Sequence, residues 1–568
     1  MINTPNKNGG LMFRGQTPVT LQFGTSGLRG LVEDMTDLEV YVNTTGFFEF
    51  LMERQEVRVG DSVCLSGDLR PSTDSPDRSI LRAVARAIQD VGLIVCYLGR
   101  LPTPALSHFA IQRGQASIMV TGSHIPFDRN GIKFNKPQGE IFKSDESAIL
   151  SSVLQVRQIQ YAMPEDRSLF DDAGWFNTES VLVLPEIKTE AHTTYLKRFS
   201  DFFPAGYLKG NKILVYQHSA VGRDMLVMLL ESMGAEVFTA GRSDTFVPID
   251  TEDMSRERLN QLQTYVEEKA EEDVRLDAVI STDGDSDRPL VCGIDGWGRL
   301  QFINGDLLGL LVADFLEAQA VVVPISSNDA VDRHLALKGI KPFKTKIGSP
   351  YVIQTMDAVR NEGDLSVVGW EANGGFLTGS ELNFKGRKLS PLATRDAFFP
   401  ILVVLFAAIE QDCSLVDLLG KLPARFGKAG LIDQFPQDSS RALLQKWTPD
   451  IEGLLDWELR NGEAQLRLVS GERRPATVEE TLMIAHLCEE SAQYFQDDEG
   501  FSDIERINYI DGVRIYFENG DIAHIRPSGN APQLRFYAVA DSQMRADAMV
   551  ELALREPDGL LRSMESGL

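Results

Sequence analysis

Short β-rich runs alternate with helical stretches along most of this chain, and that alternation restricts the fold more than any other feature. Val63-Cys-Leu-Ser precedes a helical stretch near 76–92, and Leu93-Ile-Val-Cys-Tyr follows as the next strand-like run. Lys212-Ile-Leu-Val-Tyr precedes a helix near 221–233, with Glu236-Val-Phe after it. Asp277-Ala-Val-Ile-Ser leads into a Gly/Asp loop, and a helix is expected at about 305–317. The rhythm recurs three times without a strict sequence repeat. Such runs build α/β layers, whose functional residues belong on loops at the carboxyl ends of strands. Residues 157–190, with Pro164 and Pro185 among many polar residues, break the rhythm and read as a domain joint. Past about 420 helical patches at 440–448 and 478–495 flank polar stretches, and 507–537 reads as a strand-turn-strand unit. A chain of 568 residues is too long for one core. The expected division is 1–185, 186–298 and 299–420 as three similar α/β domains, then 421–568 as a smaller α+β domain.

The net charge is -26, which repels nucleic acid phosphates and anionic membrane surfaces, so neither is an expected partner. An anionic substrate must then be held by a local group of cations working against the global field. Cys64, Cys96, Cys292, Cys413 and Cys488 are scattered and never form a CxxC pair. That argues against a disulfide framework or a zinc site and fits a reducing cytoplasm. The N-terminus has no apolar signal region, and the run 401–409 is about half a membrane span. A soluble cytoplasmic protein, monomer or homodimer, is expected.

Four loops carry chemistry. In Val120-Thr-Gly-Ser-His-Ile-Pro-Phe-Asp-Arg-Asn-Gly-Ile-Lys133, a strand ends on Ser123 beside His124, and Lys133 comes back toward them. Ser123 is a candidate nucleophile or phosphate carrier, although a serine capping a following helix gives the same pair. In Asp283-Gly-Asp285-Ser-Asp287-Arg288, carboxylates at i, i+2 and i+4 can converge on one hard cation. So few protein ligands suit Mg²⁺, which keeps open positions for water or phosphate oxygen. A calcium EF-hand would need Glu at loop position 12, where this chain has Ile294. Arg288 can hold a phosphate near the metal. Glu371 and Asn373, in Gly369-Trp-Glu-Ala-Asn-Gly-Gly375, point the same way if extended and can bind vicinal sugar hydroxyls. Arg526 and Arg535 flank Ser528-Gly529-Asn530, a turn whose N–H groups can form an anion nest. Together the loops describe phosphoryl transfer on a phosphorylated sugar.

The order and wording of these loops resemble the α-D-phosphohexomutase superfamily, which contains phosphomannomutases, phosphoglucomutases and phosphoglucosamine mutases. The T-[AG]-S-H-x-P loop matches 121–126, D-G-D-x-D-R matches 283–288, G-x-E-x-[SN]-G matches 369–374, and R-x-S-G-[TN]-x-P matches 526–532. Phe23-Gly-Thr-Ser-Gly-Leu-Arg29-Gly, Gly99-Arg-Leu-Pro-Thr-Pro-Ala-Leu and Asn304-Gly-Asp306 are minor signatures that agree. The similarity runs from about residue 20 to 540.

The resemblance implies four domains around a central cleft, each contributing one loop. It implies that Ser123 carries a phosphoryl group to a hexose phosphate, giving a bisphosphorylated sugar that reorients and returns its other phosphate. Phosphate thus moves between O6 and O1 of a hexose. Mannose 6-phosphate to mannose 1-phosphate is the leading expectation, and glucose 1-phosphate to glucose 6-phosphate the alternative. A non-catalytic sugar-phosphate-binding relative is a reading from a different class, and a magnesium-dependent phosphatase is a further option. Mg²⁺ would sit on Asp283, Asp285, Asp287 and a Ser123 phosphate oxygen, with glucose 1,6-bisphosphate or mannose 1,6-bisphosphate as activator. Arg29, Lys133 and Arg288 would surround the transferring group, with Lys133 or His124 as proton relays. Arg526, Ser528, Gly529, Asn530 and Arg535 would hold the nonreacting phosphate. Two departures stand out. Gly375 lies where many members carry histidine, and Ser349-Pro350 lies where many carry histidine or lysine; Lys344 or Lys346 are the substitutes expected there. The extra length lies near 157–190 and 440–500.

Overall fold

Residues 121–126, 283–288 and 371–375 each lie between paired antiparallel strands, and Arg526 and Pro527 lie on a strand paired with Leu534–Ala540. The computed structural model describes residues 11–568 apart from Pro18, Thr25, Ser26, Asp77, Asp364, Asn461, Gly462 and 528–531. The chain forms two compact units, one of Met1–Val321 with Gly348–Leu419 and one of Val322–Ile347 with Gly420–Leu568.

In the first unit, one sheet has the strand order Gln22–Phe23, Leu28–Leu31, Arg129–Lys136, Ser117–Val120, Ser62–Gly67, Ile94–Arg100. Its last three strands run parallel, as the βαβ rhythm predicts. Ser117–Val120 and Arg129–Lys136 are antiparallel, with Met119 opposite Lys133, and between them lies the serine loop. The helix Asp37–Glu53 packs on Glu146–Tyr161 at a close crossing, where a side chain at Gly46 would meet the Val153 backbone at 2.6 Å. Arg157 and Glu39 form a buried ion pair across that crossing. The expected joint at 157–190 therefore begins only after this helix ends at Tyr161.

A second sheet in the same unit has the order Leu300–Ile303, Pro289–Ile294, Ala278–Thr282, Lys212–Tyr216, Glu236–Ala240. Thr282 pairs with Pro289, which makes residues 283–288 a hairpin tip. Val367–Trp370, Phe376–Thr378 and Leu392–Asp396 form an antiparallel set with residues 371–375 at its first turn. The expected helix near 305–317 is Gly305–Phe315, capped by the Asn304 side chain on the Leu307 N–H. Asp306 accepts the Trp370 indole N–H at 3.2 Å. The Asn304-Gly-Asp306 signature is therefore a helix cap and a buttress for the strand that leads into the 371–375 turn.

The second unit is an eight-stranded antiparallel sheet in the order Phe426–Ile432, Leu534–Ala540, Ile522–Pro527, Val513–Phe517, Ile504–Asn508, Leu454–Arg460, Glu463–Leu468, Arg473–Pro475. One face packs on a core around Trp457, Phe536 and Met549. The expected strand-turn-strand at 507–537 is instead the end of one strand and three more, turning at Gly512 and Gly520, both at positive φ. The remainder of this unit is tied to the sheet by Arg514, which donates to the Ser327 carbonyl at 2.9 Å. Among the described residues, no helix is long and apolar enough to cross a membrane.

Candidate active site

Ser123 sits at φ 54°, a left-handed conformation that costs a non-glycine residue of order 1–3 kcal/mol. The helix that follows starts only at Glu146, so the serine is not a cap. Its hydroxyl donates to Asp283 Oδ2 at 2.6 Å across a sequence separation of 160 residues. His124 Nδ1 lies 3.4 Å from that hydroxyl and accepts from Arg288 Nη1 at 2.8 Å. Burial, then the Arg288 and Arg29 charges, push the imidazole well below its usual range. His124 is therefore neutral, with Nδ1 engaged and the proton on Nε2.

The acidic loop is built around Asp283. Its Oδ1 accepts the N–H groups of Asp287 (3.1 Å) and Arg288 (3.2 Å), and Ser286 closes the turn at φ 59°. Carboxylate oxygens of Asp283, Asp285 and Asp287 lie within 4.8 Å of one another, all buried. Lys133 Nζ bridges Asp285 Oδ2 at 2.6 Å and Asp287 Oδ2 at 2.7 Å. Asp285 Oδ1 and Asp287 Oδ1 have no hydrogen-bond partner among the described residues. Orphaned buried carboxylate oxygens are costly unless a cation meets them, and three oxygen donors on a tight turn match the few protein ligands Mg²⁺ takes. The residues present fit the metal. Burial and the neighbouring Asp285 and Asp287 push Asp283 well above the ordinary carboxylate range. Burial also pushes Asp287 up, but Arg395, Lys133 and Arg288 outweigh it and hold it low. Burial opposes the Lys133 charge, and Asp285 and Asp287 more than restore it.

Two contacts that complete this arrangement escape the sequence. The Thr103 hydroxyl donates to Asp285 Oδ2 at 2.5 Å and its N–H to the Asp285 carbonyl at 2.9 Å. Arg395, 2% exposed, donates to Asp287 Oδ2 through Nη2 at 2.8 Å and to Glu371 Oε2 through Nη1 at 2.6 Å. The signal for Thr103 was the minor signature at 99–106; Arg395 had none.

Glu371 and Asn373 do not lie on extended chain. Gly374 N–H bonds back to the Glu371 carbonyl at 2.8 Å, and Asn373 Oδ1 accepts the Gly375 N–H at 3.0 Å. Glu371 joins the metal loop through Arg395 rather than standing apart from it. A Cβ at Gly375 would lie 2.4 Å from Arg395 Cδ. The volume a histidine would need is thus filled by arginine, which explains that departure from the motif. Ser349 donates to Glu140 Oε2 at 2.7 Å, and Thr394 donates to Glu140 Oε1 at 2.9 Å. Lys344, expected as a substitute cation, is engaged in the second unit with Ser327 and Asp332, each at 2.8 Å.

Arg29 is pushed down to about 10 by burial and by the Arg288 and Arg395 charges, and so remains a cation. Arg29, Lys133, Arg288 and Arg395 together form the local cationic group that the global charge demands. In the second unit, Arg526 and Arg535 are directly opposed across the hairpin, and Arg526 Nε donates to Asp511 Oδ2 at 3.0 Å. Ser528, Gly529 and Asn530 lie outside the described residues.

Gly284 permits the serine and metal loops to meet. A Cβ there would lie 2.6 Å from the Ser123 carbonyl oxygen, a backbone atom that cannot swing aside. Gly284→Ala is expected to cost about 1–3 kcal/mol of stability by overpacking, measured by chemical denaturation, and to weaken the response to Mg²⁺. Unchanged denaturation and an unchanged Mg²⁺ titration would contradict the close approach.

A hydroxyl held against an acidic triad inside a ring of cations, on stacked α/β layers, defines a phosphoryl-transfer enzyme. The chain belongs to the phosphoglucomutase/phosphomannomutase family of the α-D-phosphohexomutase superfamily. The family's alpha/beta/alpha domain I matches residues 20–160, its alpha/beta/alpha domain III residues 304–426, and its C-terminal domain residues 475–555. A phosphomannomutase of Salmonella muenchen is 37% identical over 94% of this chain and 95% of its own. One of Sinorhizobium fredii is 35% identical over 94% and 98%. Among solved structures, a putative phosphomannomutase of Thermus thermophilus shares the fold with TM-score 0.65 at 17% identity, covering 94% of this chain and 98% of its own.

Proposed function

We propose that this chain interconverts mannose 6-phosphate and mannose 1-phosphate, with Ser123 carrying the phosphoryl group. The observation that carries the chemistry is the Ser123 hydroxyl donating at 2.6 Å to a carboxylate of the buried acidic triad. The choice of mannose is supported by the two phosphomannomutases that align with 94% of the chain.

In the first half-reaction, the free hydroxyl of a hexose monophosphate attacks the phosphorus on Ser123, the P–Oγ bond breaks, and the hydroxyl's proton ends on Ser123 Oγ. The bisphosphorylated sugar turns over, and its other phosphate returns to Ser123 Oγ. Asp283, Asp285, Asp287 and a Ser123 phosphate oxygen would hold Mg²⁺, which supplies charge neutralisation at the transferring group. Lys133, Arg29 and Arg288 offset the oxygens' charge, and Thr103 and Arg395 keep the triad in place. Little covalent chemistry is asked of the protein; positioning and preorganised charge carry the rate. Glu371 and Asn373 are the proposed sugar contacts, and Arg526 and Arg535 the proposed grip on the second phosphate.

A coupled assay with Mg²⁺ and catalytic glucose 1,6-bisphosphate tests this by comparing kcat/KM for mannose 1-phosphate and glucose 1-phosphate. A higher value for mannose 1-phosphate is expected; a higher value for glucose 1-phosphate would reassign the enzyme as a phosphoglucomutase. Chelation by EDTA is expected to abolish turnover and added Mg²⁺ to restore it, and turnover that persists in EDTA would remove the metal role of the triad.

A further inference from the structure

We infer that Arg70 is a positioning residue for Ser123, acting through the backbone of the loop 123–129. The inference rests on the reading that Ser123 carries the phosphoryl group.

An arginine has five N–H donors in a rigid planar fork, and all five of Arg70 are in use. Nε donates to Asp68 Oδ2 at 3.3 Å. Nη1 donates to the carbonyls of Pro126 (2.7 Å) and Arg129 (2.9 Å). Nη2 donates to the carbonyls of Ser123 (3.0 Å) and Ile125 (2.6 Å). One side chain thus gathers four carbonyls of a single loop, at 1% exposure. The guanidinium packs closely against Gly122 and Phe246. A Cβ at Gly122 would lie 2.6 Å from Arg70 Cζ, and the Phe246 ring covers the guanidinium with its centroid 3.8 Å from Cζ.

Asp68 makes the clamp two-sided. Its Oδ1 accepts the Arg70 N–H (3.0 Å) and the Thr73 hydroxyl (2.8 Å), and its Oδ2 accepts the Thr121 hydroxyl at 2.7 Å. Thr121 Oγ1 in turn accepts the Ser123 N–H at 2.8 Å. The serine is therefore gripped at its N–H by Thr121 and at its carbonyl by Arg70, and both grips trace to Asp68. This is what holds a non-glycine residue at φ 54°, a conformation that persists only where its surroundings over-determine it. The outcome is a hydroxyl aimed at Asp283. With every donor committed to protein, Arg70 has none left for a phosphate, so it positions the nucleophile without touching substrate. Lysine offers the charge but only three donors and no planar fork.

The test uses the full chain. In Arg70→Lys, kcat with mannose 1-phosphate is expected to fall by ~10²-fold while KM stays within about twofold, as for a misplaced reacting group with substrate binding intact. Hydrogen exchange of the peptide spanning 121–129 is expected to speed up in the same variant. Arg70→Ala is expected to regain activity with added guanidinium and not with methylammonium. Thr121→Val removes the other grip and is expected to show the same kcat loss at constant KM, which decides the matter if the Arg70 variants do not fold. Parental kcat and exchange in Arg70→Lys would overturn the inference, because charge alone would then suffice. So would a folded Arg70→Ala that guanidinium does not rescue, or Thr121→Val with parental kcat. Accelerated loop exchange in Arg70→Lys, alongside a parent protein with no mutase turnover, would keep the clamp and discard the carrier role instead.

Discussion

Replacing Ser123 by alanine is expected to lower kcat/KM for hexose phosphate by at least ~10⁴-fold, the scale seen when the atom that forms the covalent intermediate is removed. The substitution deletes one oxygen and leaves Thr121, His124, the acidic triad and the ring of cations in place. Its effect should therefore fall on turnover and not on binding of the hexose phosphate. The Ser123→Ala protein should also take up no phosphoryl group from a sugar bisphosphate, as read by intact mass. Residual turnover within tenfold of the parent would mean that the phosphoryl group is carried elsewhere.

Replacing Arg395 by methionine is expected to cost about 3–5 kcal/mol of stability, the range for breaking a buried ion pair by removing one partner. Two carboxylates lose a partner at once: Asp287, which keeps Lys133 but faces Asp283 and Asp285 with less compensation, and Glu371 on the neighbouring turn. Turnover should fall on the order of 10²–10³-fold even where the protein remains folded, the range for loss of one preorganised charge contact. Arg395→Lys should recover part of the stability and little of the turnover, since an ammonium cannot span both carboxylates as the guanidinium does. Chemical denaturation with steady-state kinetics on the same samples separates the two effects. Parental stability in Arg395→Met would show that the bridge contributes nothing net.

The balance of charge at this site also clarifies how a chain of net charge -26 handles an anionic substrate. Four buried or half-buried cations face three aspartates and Glu371, and because Asp283 is pushed well above the ordinary carboxylate range the group leans positive. On the proposed reading a phosphoserine would add roughly two negative charges, and a divalent cation held by the triad would offset them. Asp285 Oδ1 and Asp287 Oδ1 accept no hydrogen bond among the described residues, and Arg288 Nε stands 3.7 Å from Asp287 Oδ1.

Much of the site was legible because its chemistry is local in sequence. Asp283, Asp285 and Asp287 fall at i, i+2 and i+4 on one tight turn, so their convergence follows from spacing. Lys133 returns along a strand paired with the one that leads to Ser123, and that too is a short-range relation. Arg395 is 108 residues from Asp287 and Thr103 is 182 from Asp285, and no periodicity connects residues so far apart. The sugar loop misled for a different reason. Its Glu-x-Asn alternation suggested extended chain, but Gly374, at φ 84°, folds it into a turn.

In the second unit the strand count was the miss. Asp511-Gly512 and Asn519-Gly520 are strong hairpin signals, and both glycines sit at the positive φ such turns require. Reading them as turns would have divided 507–537 correctly. The α/β rhythm was read well for the opposite reason: buried parallel strands such as Ser62–Gly67 and Lys212–Tyr216 are continuous apolar runs that periodicity shows directly.

The most direct test of the carrier role is mass spectrometry of the Ser123 peptide. The purified protein is incubated with Mg²⁺ and glucose 1,6-bisphosphate, with and without excess mannose 1-phosphate. The account predicts one phosphoryl group on Ser123 after the bisphosphate, discharged when the monophosphate is added. A peptide that stays unmodified while hexose phosphates are interconverted, or a phosphoryl group that the monophosphate cannot remove, would contradict it.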